Sequence, residues 1–186
     1  MDKPVILVVD DEDMARMAMR LVVETECGCT VFEAKDGFEA SKILKQEKID
    51  LVLLDIMMPE LDGMELLSHM KYIALDEDIA VIMVTAMGEV STAVTAMKKG
   101  AYDYIVKPYA NEALTEKVKN ALADKELKKE VREKAKRLKI PIIGERLEIQ
   151  QQLEKAVKYI GDCEKQGIEA KDEKLARILG HTSYRS

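Results

Sequence analysis

Four short apolar runs in the first 110 residues end in side chains that could do chemistry. The residues at these ends are Asp10-Asp11, Asp55, Thr85 and Lys107. Carboxylates that lie 4 Å apart repel by about 4 kcal/mol per pair at an effective dielectric of about 20. One lysine against three aspartates leaves two negative charges, which a divalent cation with oxygen ligands, such as Mg²⁺, would neutralise. An aspartate in such a set could attack phosphorus and form an aspartyl phosphate.

Each of these residues also has an ordinary structural explanation when it is taken alone. The acidic run that begins at Asp10 could cap the helix after it and favour that helix's dipole. Asp55 could be a turn residue, Thr85 a β-branched strand residue and Lys107 a solvated loop residue. If these explanations were all correct, chance would have placed compatible side chains at four separate strand ends. Because such a coincidence is improbable, the set favours a functional site.

The elements that must position these residues follow from the hydrophobic pattern. Apolar runs alternate with segments of helical periodicity, which predicts βαβ units and a doubly wound α/β fold with a parallel sheet. In such sheets, functional residues gather at the carboxyl ends of the strands. The predicted strands are 5–9, 30–34, 51–54, 80–84 and 102–106, and the helices between them are 14–23, 38–46, 63–72 and 90–99.

Four motifs resemble those of the receiver domains of two-component response regulators, in the same order. The resemblance covers about residues 4–123, and the segment 92–104 is most similar to the receivers of NtrC-type transcription activators. The motifs are Val8-Val9-Asp10-Asp11-Glu12, Asp55-Ile56-Met57-Met58-Pro59-Glu60-Leu61-Asp62-Gly63, Val84-Thr85-Ala86 and Val106-Lys107-Pro108.

The resemblance implies a fold and a metal site. The fold is flavodoxin-like, with five parallel strands in the order 2-1-3-4-5 and helices on both faces. Asp55 is the phosphoacceptor, and its phosphoryl donor is a histidine kinase. Asp11 and Asp55 bind Mg²⁺ together with the backbone carbonyl of Met57, and Asp10 assists through water.

The resemblance also implies the residues that respond to phosphorylation. Lys107 pairs with the phosphoryl oxygens, next to a cis peptide bond to Pro108. Thr85 hydrogen-bonds the phosphate, and Tyr104 moves with it. Met57 and Met87 affect how readily water reaches the phosphate. The protein is then a signalling switch that catalyses only its own phosphorylation and dephosphorylation.

The region after the receiver, residues 124–186, is predicted to be a helical extension. Its first part, 124–139, is highly charged and is either a solvated spacer or part of a short coiled coil. A second helix, about 145–160, carries apolar residues on one side, which must be covered by the receiver or by a second chain. We expect a homodimer through these C-terminal helices. The apolar residues are Ile149, Leu153, Val157 and Ile160.

Composition limits the remaining classes of function. The 186 residues contain no apolar run of membrane-spanning length and no signal-peptide pattern, so we expect a cytoplasmic protein without membrane contact. A net charge of −6 and the absence of Trp argue against nucleic-acid binding by this chain. The alternatives are a truncated DNA-binding transcriptional regulator and a phosphorelay intermediate. A phosphatase of the haloacid dehalogenase type is disfavoured, because Asp11-Glu12-Asp13-Met14 lacks the Thr or Val of that family's motif.

Overall fold

The computed structural model describes residues 3–73, 79–86 and 88–137, and parts of the segment after them. Its first 125 residues contain a five-stranded parallel sheet in the order β2-β1-β3-β4-β5. This result confirms the predicted fold class and strand order. The strands are β1 (Val5–Val9), β2 (Thr30–Ala34), β3 (Leu51–Leu54), β4 (Ala80–Thr85) and β5 (Asp103–Val106).

Helices cover both faces of the sheet, which explains why its inner strands are apolar runs without polar alternation. One core cluster joins α2, α3 and α4 to one face, and a second cluster joins α1 and α5 to the other. All four residues of β3 are buried. The helices are α1 (Asp13–Cys27), α2 (Gly37–Gln46), α3 (Gly63–Ile73), α4 (Val90–Lys99) and α5 (Asn111–Arg137).

Helix α1 differs from its prediction in length and in orientation. It ends at Cys27 rather than at residue 23, and Gly28 closes it in the left-handed conformation with φ 65°. The apolar residues used to predict it include Met14, Met17 and Leu21, and the structure leaves all three exposed. The face that packs on the sheet consists of Met19, Val22 and Val23.

Helix α5 is continuous across the boundary between two compact units, residues 1–125 and 126–186. In the first unit, its inner face packs on the sheet as predicted, through Leu114, Val118 and Ala121. Among the described residues, no helix is long and apolar enough to cross a membrane.

After residue 137 the second unit is described only at separate residues, and the described part of this unit includes several buried side chains. The buried side chains are Val131, Ala156, Leu175 and Leu179. Tyr159 accepts a hydrogen bond from the backbone N–H of Lys171 at 2.9 Å, and Lys174 Nζ lies 4.5 Å from the centre of its ring. Of the predicted apolar face, Ile160 is helical and half-buried, whereas Ile149, Leu153 and Val157 lie outside the described residues.

Candidate functional site

Three carboxylates meet at the carboxyl edge of the sheet. Asp10 and Asp11 follow β1, and Asp55 follows β3, which pairs directly with β1 in the register Val9↔Leu54. One ligand oxygen from each of the three lies within 4.8 Å of the others. Asp10 and Asp55 are buried, whereas Asp11 is exposed. The strand order therefore brings these predicted residues together.

Lys107 reaches this cluster from β5, beyond the intervening strand β4. Its Nζ donates to Asp10 Oδ2 at 2.5 Å and to Asp55 Oδ2 at 2.9 Å. The backbone N–H of Lys107 donates to the carbonyl of Thr85 at 2.8 Å, which fixes the start of the loop. The Lys107–Pro108 peptide bond is cis, as the resemblance implies.

The proton affinities in the cluster reflect burial and charge together. Burial raises the pKa of Asp10, and this influence outweighs the hydrogen bonds from Lys107 and from the backbone N–H of Glu12. Burial acts to lower the pKa of Lys107, but its hydrogen bonds to Asp10 and Asp55 reverse the balance and raise it. Lys107 is therefore a firmly charged ammonium between two carboxylates.

The loop after Asp55 folds back tightly on the backbone of this residue. The N–H of Met57 donates to Asp55 Oδ1 at 3.2 Å, and the N–H of Gly63 donates to the carbonyl of Ile56 at 3.0 Å. A Cβ on Gly63 would lie 2.0 Å from the carbonyl oxygen of Asp55. Glu60 takes a left-handed conformation with φ 67° in the middle of this loop. The loop thus holds Asp55 in place, whereas the side chain of Met57 is exposed.

The predicted switch residues lie on the two adjoining strands. Thr85 ends β4, is fully buried and pairs in register with Val106 of β5. Tyr104 lies in β5 and is half-buried, and burial raises the pKa of its phenol. Met87, the other residue predicted to affect water access, lies outside the described residues.

One residue that contacts the site was not predicted from the sequence. Arg16 in α1 donates from Nη1 to the backbone carbonyl of Asp10 at 2.8 Å. Its position one helical turn after Glu12 is a signal that could have suggested contact with the acidic loop, because residues four apart share a helix face.

The donor set suits a hard divalent cation. It consists of carboxylate oxygens only, one of them on the exposed Asp11, and the structure gathers no cysteine or histidine with them among its described residues. Oxygen-only sites with few protein ligands are typical of Mg²⁺, which keeps several waters. Asp11 and Asp55 could hold such an ion at the mouth of the site.

Comparisons with known proteins agree with this arrangement. Residues 6–119 match the model of the response regulator receiver domain. The chemotaxis protein CheY of Listeria monocytogenes is 40% identical over 116 residues, an alignment that covers 62% of this chain and 96% of CheY. A protein described as the probable transcriptional regulator ycf27, from Porphyridium aerugineum, is 39% identical over 125 residues, which cover 66% of this chain and 49% of that protein. The chain thus spans about half the length of that regulator.

Solved structures give the same result at the level of the fold. The receiver domain of NtrX from Brucella abortus superposes with a TM-score of 0.59 at 34% identity, over 63% of this chain and 98% of that domain. A CheY-like receiver from Methanospirillum hungatei gives a TM-score of 0.62 at 31% identity, over 67% and 98% respectively. The similarity extends to receivers of several kinds, and the two alignments cover about two thirds of the chain.

Proposed function

We infer the function from the premise that this chain belongs to the response regulator receiver domain family: Asp55 accepts a phosphoryl group from a histidine kinase in the cytoplasm. The observation that carries this proposal is the contact of Lys107 Nζ with the buried carboxylates of Asp10 and Asp55. It places a fixed positive charge beside the oxygen that would attack phosphorus.

Asp55 is the best nucleophile of the three aspartates. Asp10 is fully buried, so no part of its carboxylate is open to a phosphoryl donor. Asp11 is exposed but forms no ion pair with Lys107 among the described residues. Asp55 alone combines contact with Lys107 and access, with 7% of its surface exposed at the edge of the sheet.

The chemistry divides among these residues as follows. A carboxylate oxygen of Asp55 forms the bond to phosphorus while the bond from phosphorus to the donor's imidazole nitrogen breaks. Lys107 then pairs with a phosphoryl oxygen instead of Asp55 Oδ2. Asp10 keeps the ammonium in position. Mg²⁺ held by Asp11 and Asp55 would supply further positive charge against the phosphoryl oxygens.

The output we propose is a change of partner or of oligomeric state. Thr85 would bond the new phosphoryl group, and Tyr104 would follow it, which alters the surface of α4 and β5. Apolar side chains are exposed on this surface and would gain from being covered. They are Val90, Val94 and Met97 on α4 and Val106 on β5.

A homodimer through the C-terminal helices is also part of this proposal, and the burial of their apolar side chains bears on it. Four apolar side chains of this region are already buried within a single chain, namely Val131, Ala156, Leu175 and Leu179. The exposed apolar face of α4 and β5 is therefore the stronger argument for pairing.

The phosphoacceptor role can be tested by intact-mass spectrometry after incubation with acetyl phosphate and Mg²⁺. Wild type should gain one phosphoryl group, and Asp55→Asn should gain none. Asp62→Asn is the matched control, because Asp62 is a nearby acid whose side chain accepts a hydrogen bond from the N–H of Glu65 at the start of α3. This control should behave as wild type, and removing Mg²⁺ with a chelator should abolish the modification. Equal phosphorylation of wild type and Asp55→Asn would exclude Asp55 as the acceptor.

A further inference from the structure

Arg16 connects the acidic site to α1 and β2 through the guanidinium of a half-buried side chain. Only 14% of its side chain is exposed. Nη1 donates to the carbonyl of Asp10 at 2.8 Å, Nη2 pairs with Asp13 at 2.5 Å, and Nε lies 3.5 Å from a carboxylate oxygen of Glu33 in β2. The guanidinium is thus held on two sides while it contacts the backbone of the site.

The contacted carbonyl belongs to the peptide that joins Asp10 to Asp11. A peptide unit is planar, so fixing its oxygen also fixes the direction in which the chain enters Asp11. Asp10 is held independently, because its N–H donates to Ala34 and its carboxylate accepts from Glu12 and Lys107. Asp11 is exposed, so its placement relies on the backbone rather than on packing.

We propose that Arg16 is a positioning residue that orients the Asp10–Asp11 peptide and thereby keeps the Asp11 carboxylate in place for Mg²⁺. The proposal rests on the proposed function, since it concerns the same metal site. Groups that orient a metal ligand without touching the metal commonly contribute about 10- to 100-fold to metal affinity.

The direction of the change in Mg²⁺ affinity separates a positioning role of Arg16 from a simple electrostatic one. Deleting a positive charge beside three carboxylates makes the site more negative, which by itself strengthens cation binding. Loss of positioning weakens it. A weaker site in Arg16→Met would therefore run against the electrostatic effect of the same substitution.

Arg20 provides the matched control. It lies one turn further along α1, pairs with the same Glu33 at 2.7 Å and with Glu24 at 3.0 Å, and forms no bond to Asp10 among the described contacts. Arg20→Met removes the same charge from the same helix. Arg16→Lys keeps the charge but lacks the planar group that reaches several partners at once.

The experiment measures Mg²⁺ affinity of the full chain by isothermal titration calorimetry. Arg16→Met should bind Mg²⁺ about tenfold more weakly than wild type. Arg16→Lys should be intermediate, and Arg20→Met should match wild type or bind slightly more tightly. In metal-free protein, the backbone amides of residues 11–13 should exchange with deuterium several-fold faster in Arg16→Met than in Arg20→Met.

The outcomes distinguish a failure of the role of Arg16 from a failure of the proposed function on which it rests. If wild type binds Mg²⁺ and Arg16→Met binds it as well as Arg20→Met does, the role of Arg16 is overturned and the proposed function stands. If wild type fails to bind Mg²⁺, both are overturned. Arg16→Lys gives the same comparison should Arg16→Met fail to fold.

Discussion

Gly63 shows how closely the residues around Asp55 are packed. A Cβ at this position would lie 2.0 Å from the carbonyl oxygen of Asp55 and 3.0 Å from the Cα of Ile56. Both atoms belong to the backbone, so no side-chain rotation can make room. The requirement for glycine here is one of space, and it comes from the loop that positions the phosphoacceptor.

Replacing Gly63 with alanine should therefore destabilise the protein by about 2–3 kcal/mol, because the loop must shift away from β3. Gly28→Ala is the comparison, since nothing lies within 4 Å of a Cβ there and only the left-handed φ of 65° opposes it. That strain is worth about 1–2 kcal/mol. Urea unfolding measures both costs, and only Gly63→Ala should also slow phosphorylation by acetyl phosphate. Equal phosphorylation rates would mean that the loop does not position Asp55.

Site residues that follow directly after strands could be predicted from the sequence, whereas a residue that reaches the site through a tertiary contact was not predicted. Asp10, Asp11, Asp55 and Lys107 were predicted from strand ends, and the structure brings them together. The contact of Arg16 with the Asp10 carbonyl depends on how α1 lies against the β1 loop. Hydrophobic periodicity carries no information about that placement.

Among the elements, the strands were the most predictable. β1, β2 and β3 have the predicted bounds. β1 and β3 are covered on both faces and are therefore uninterrupted apolar runs. Helix α1 was less predictable because it carries two apolar stripes. Periodicity finds a stripe but does not tell which one meets the sheet, and here the stripe of Met14, Met17 and Leu21 faces away from the core.

Near the end of the first unit, helix α5 forms hydrogen bonds at the edge of the sheet that lies opposite the candidate site. Lys125 Nζ donates to Asp50 Oδ1 at 2.7 Å, and Asp50 Oδ2 accepts from the N–H of Val5 at 2.8 Å. Tyr102 donates from its hydroxyl to Asp124 at 2.7 Å. Burial acts to raise the pKa of Asp50, but the hydrogen bonds from Lys125 and Val5 outweigh burial and lower the pKa below its ordinary value.

Asp50→Asn should therefore destabilise the fold in a pH-dependent way. A carboxyl with a lowered pKa in the folded state stabilises the protein above its unfolded pKa, and this stabilisation is lost as the pH falls through the folded value. The cost should be about 1.5–3 kcal/mol near neutral pH, the usual worth of a hydrogen bond to a charged group, and should shrink below about pH 4. Urea midpoints across this range measure it. Glu47→Gln changes an exposed carboxyl instead, and a similar cost there would contradict the role of Asp50.

The whole molecule consists of two compact units that share helix α5. The first unit contains every residue of the candidate site, and the family match ends at residue 119 within it. In the extension after Lys125, hydrophobic periodicity predicts helices but does not tell which side chains cover one another. The apolar face on α4 and β5 belongs to the first unit, and it is the surface through which we propose that the chain pairs.

If phosphorylation changes the oligomeric state, BeF₃⁻ with Mg²⁺ should raise the mass of the full chain towards that of a dimer. Val94→Lys should prevent this, because it places a charge in the centre of the exposed α4 face. Leu21→Lys, on the exposed side of α1, should leave dimerisation intact. Light scattering at tens of micromolar measures the mass.

A version that ends at Lys125, which retains the bonds of Asp124 and Lys125, separates the two surfaces. Loss of the dimer in this version would assign pairing to the C-terminal helices. A full chain that stays monomeric with and without BeF₃⁻ would rule out dimerisation as the output.

The central claim is that Asp55 itself forms an acyl phosphate, and chemical trapping tests it most directly. Borohydride reduces an aspartyl phosphate to homoserine, which marks the modified residue permanently. After incubation with acetyl phosphate and Mg²⁺, peptide mass spectrometry should find homoserine at position 55 in wild type and nowhere in protein treated without Mg²⁺. Homoserine at position 10 or 11, or phosphoryl transfer that leaves residue 55 as unmodified aspartate, would contradict the account.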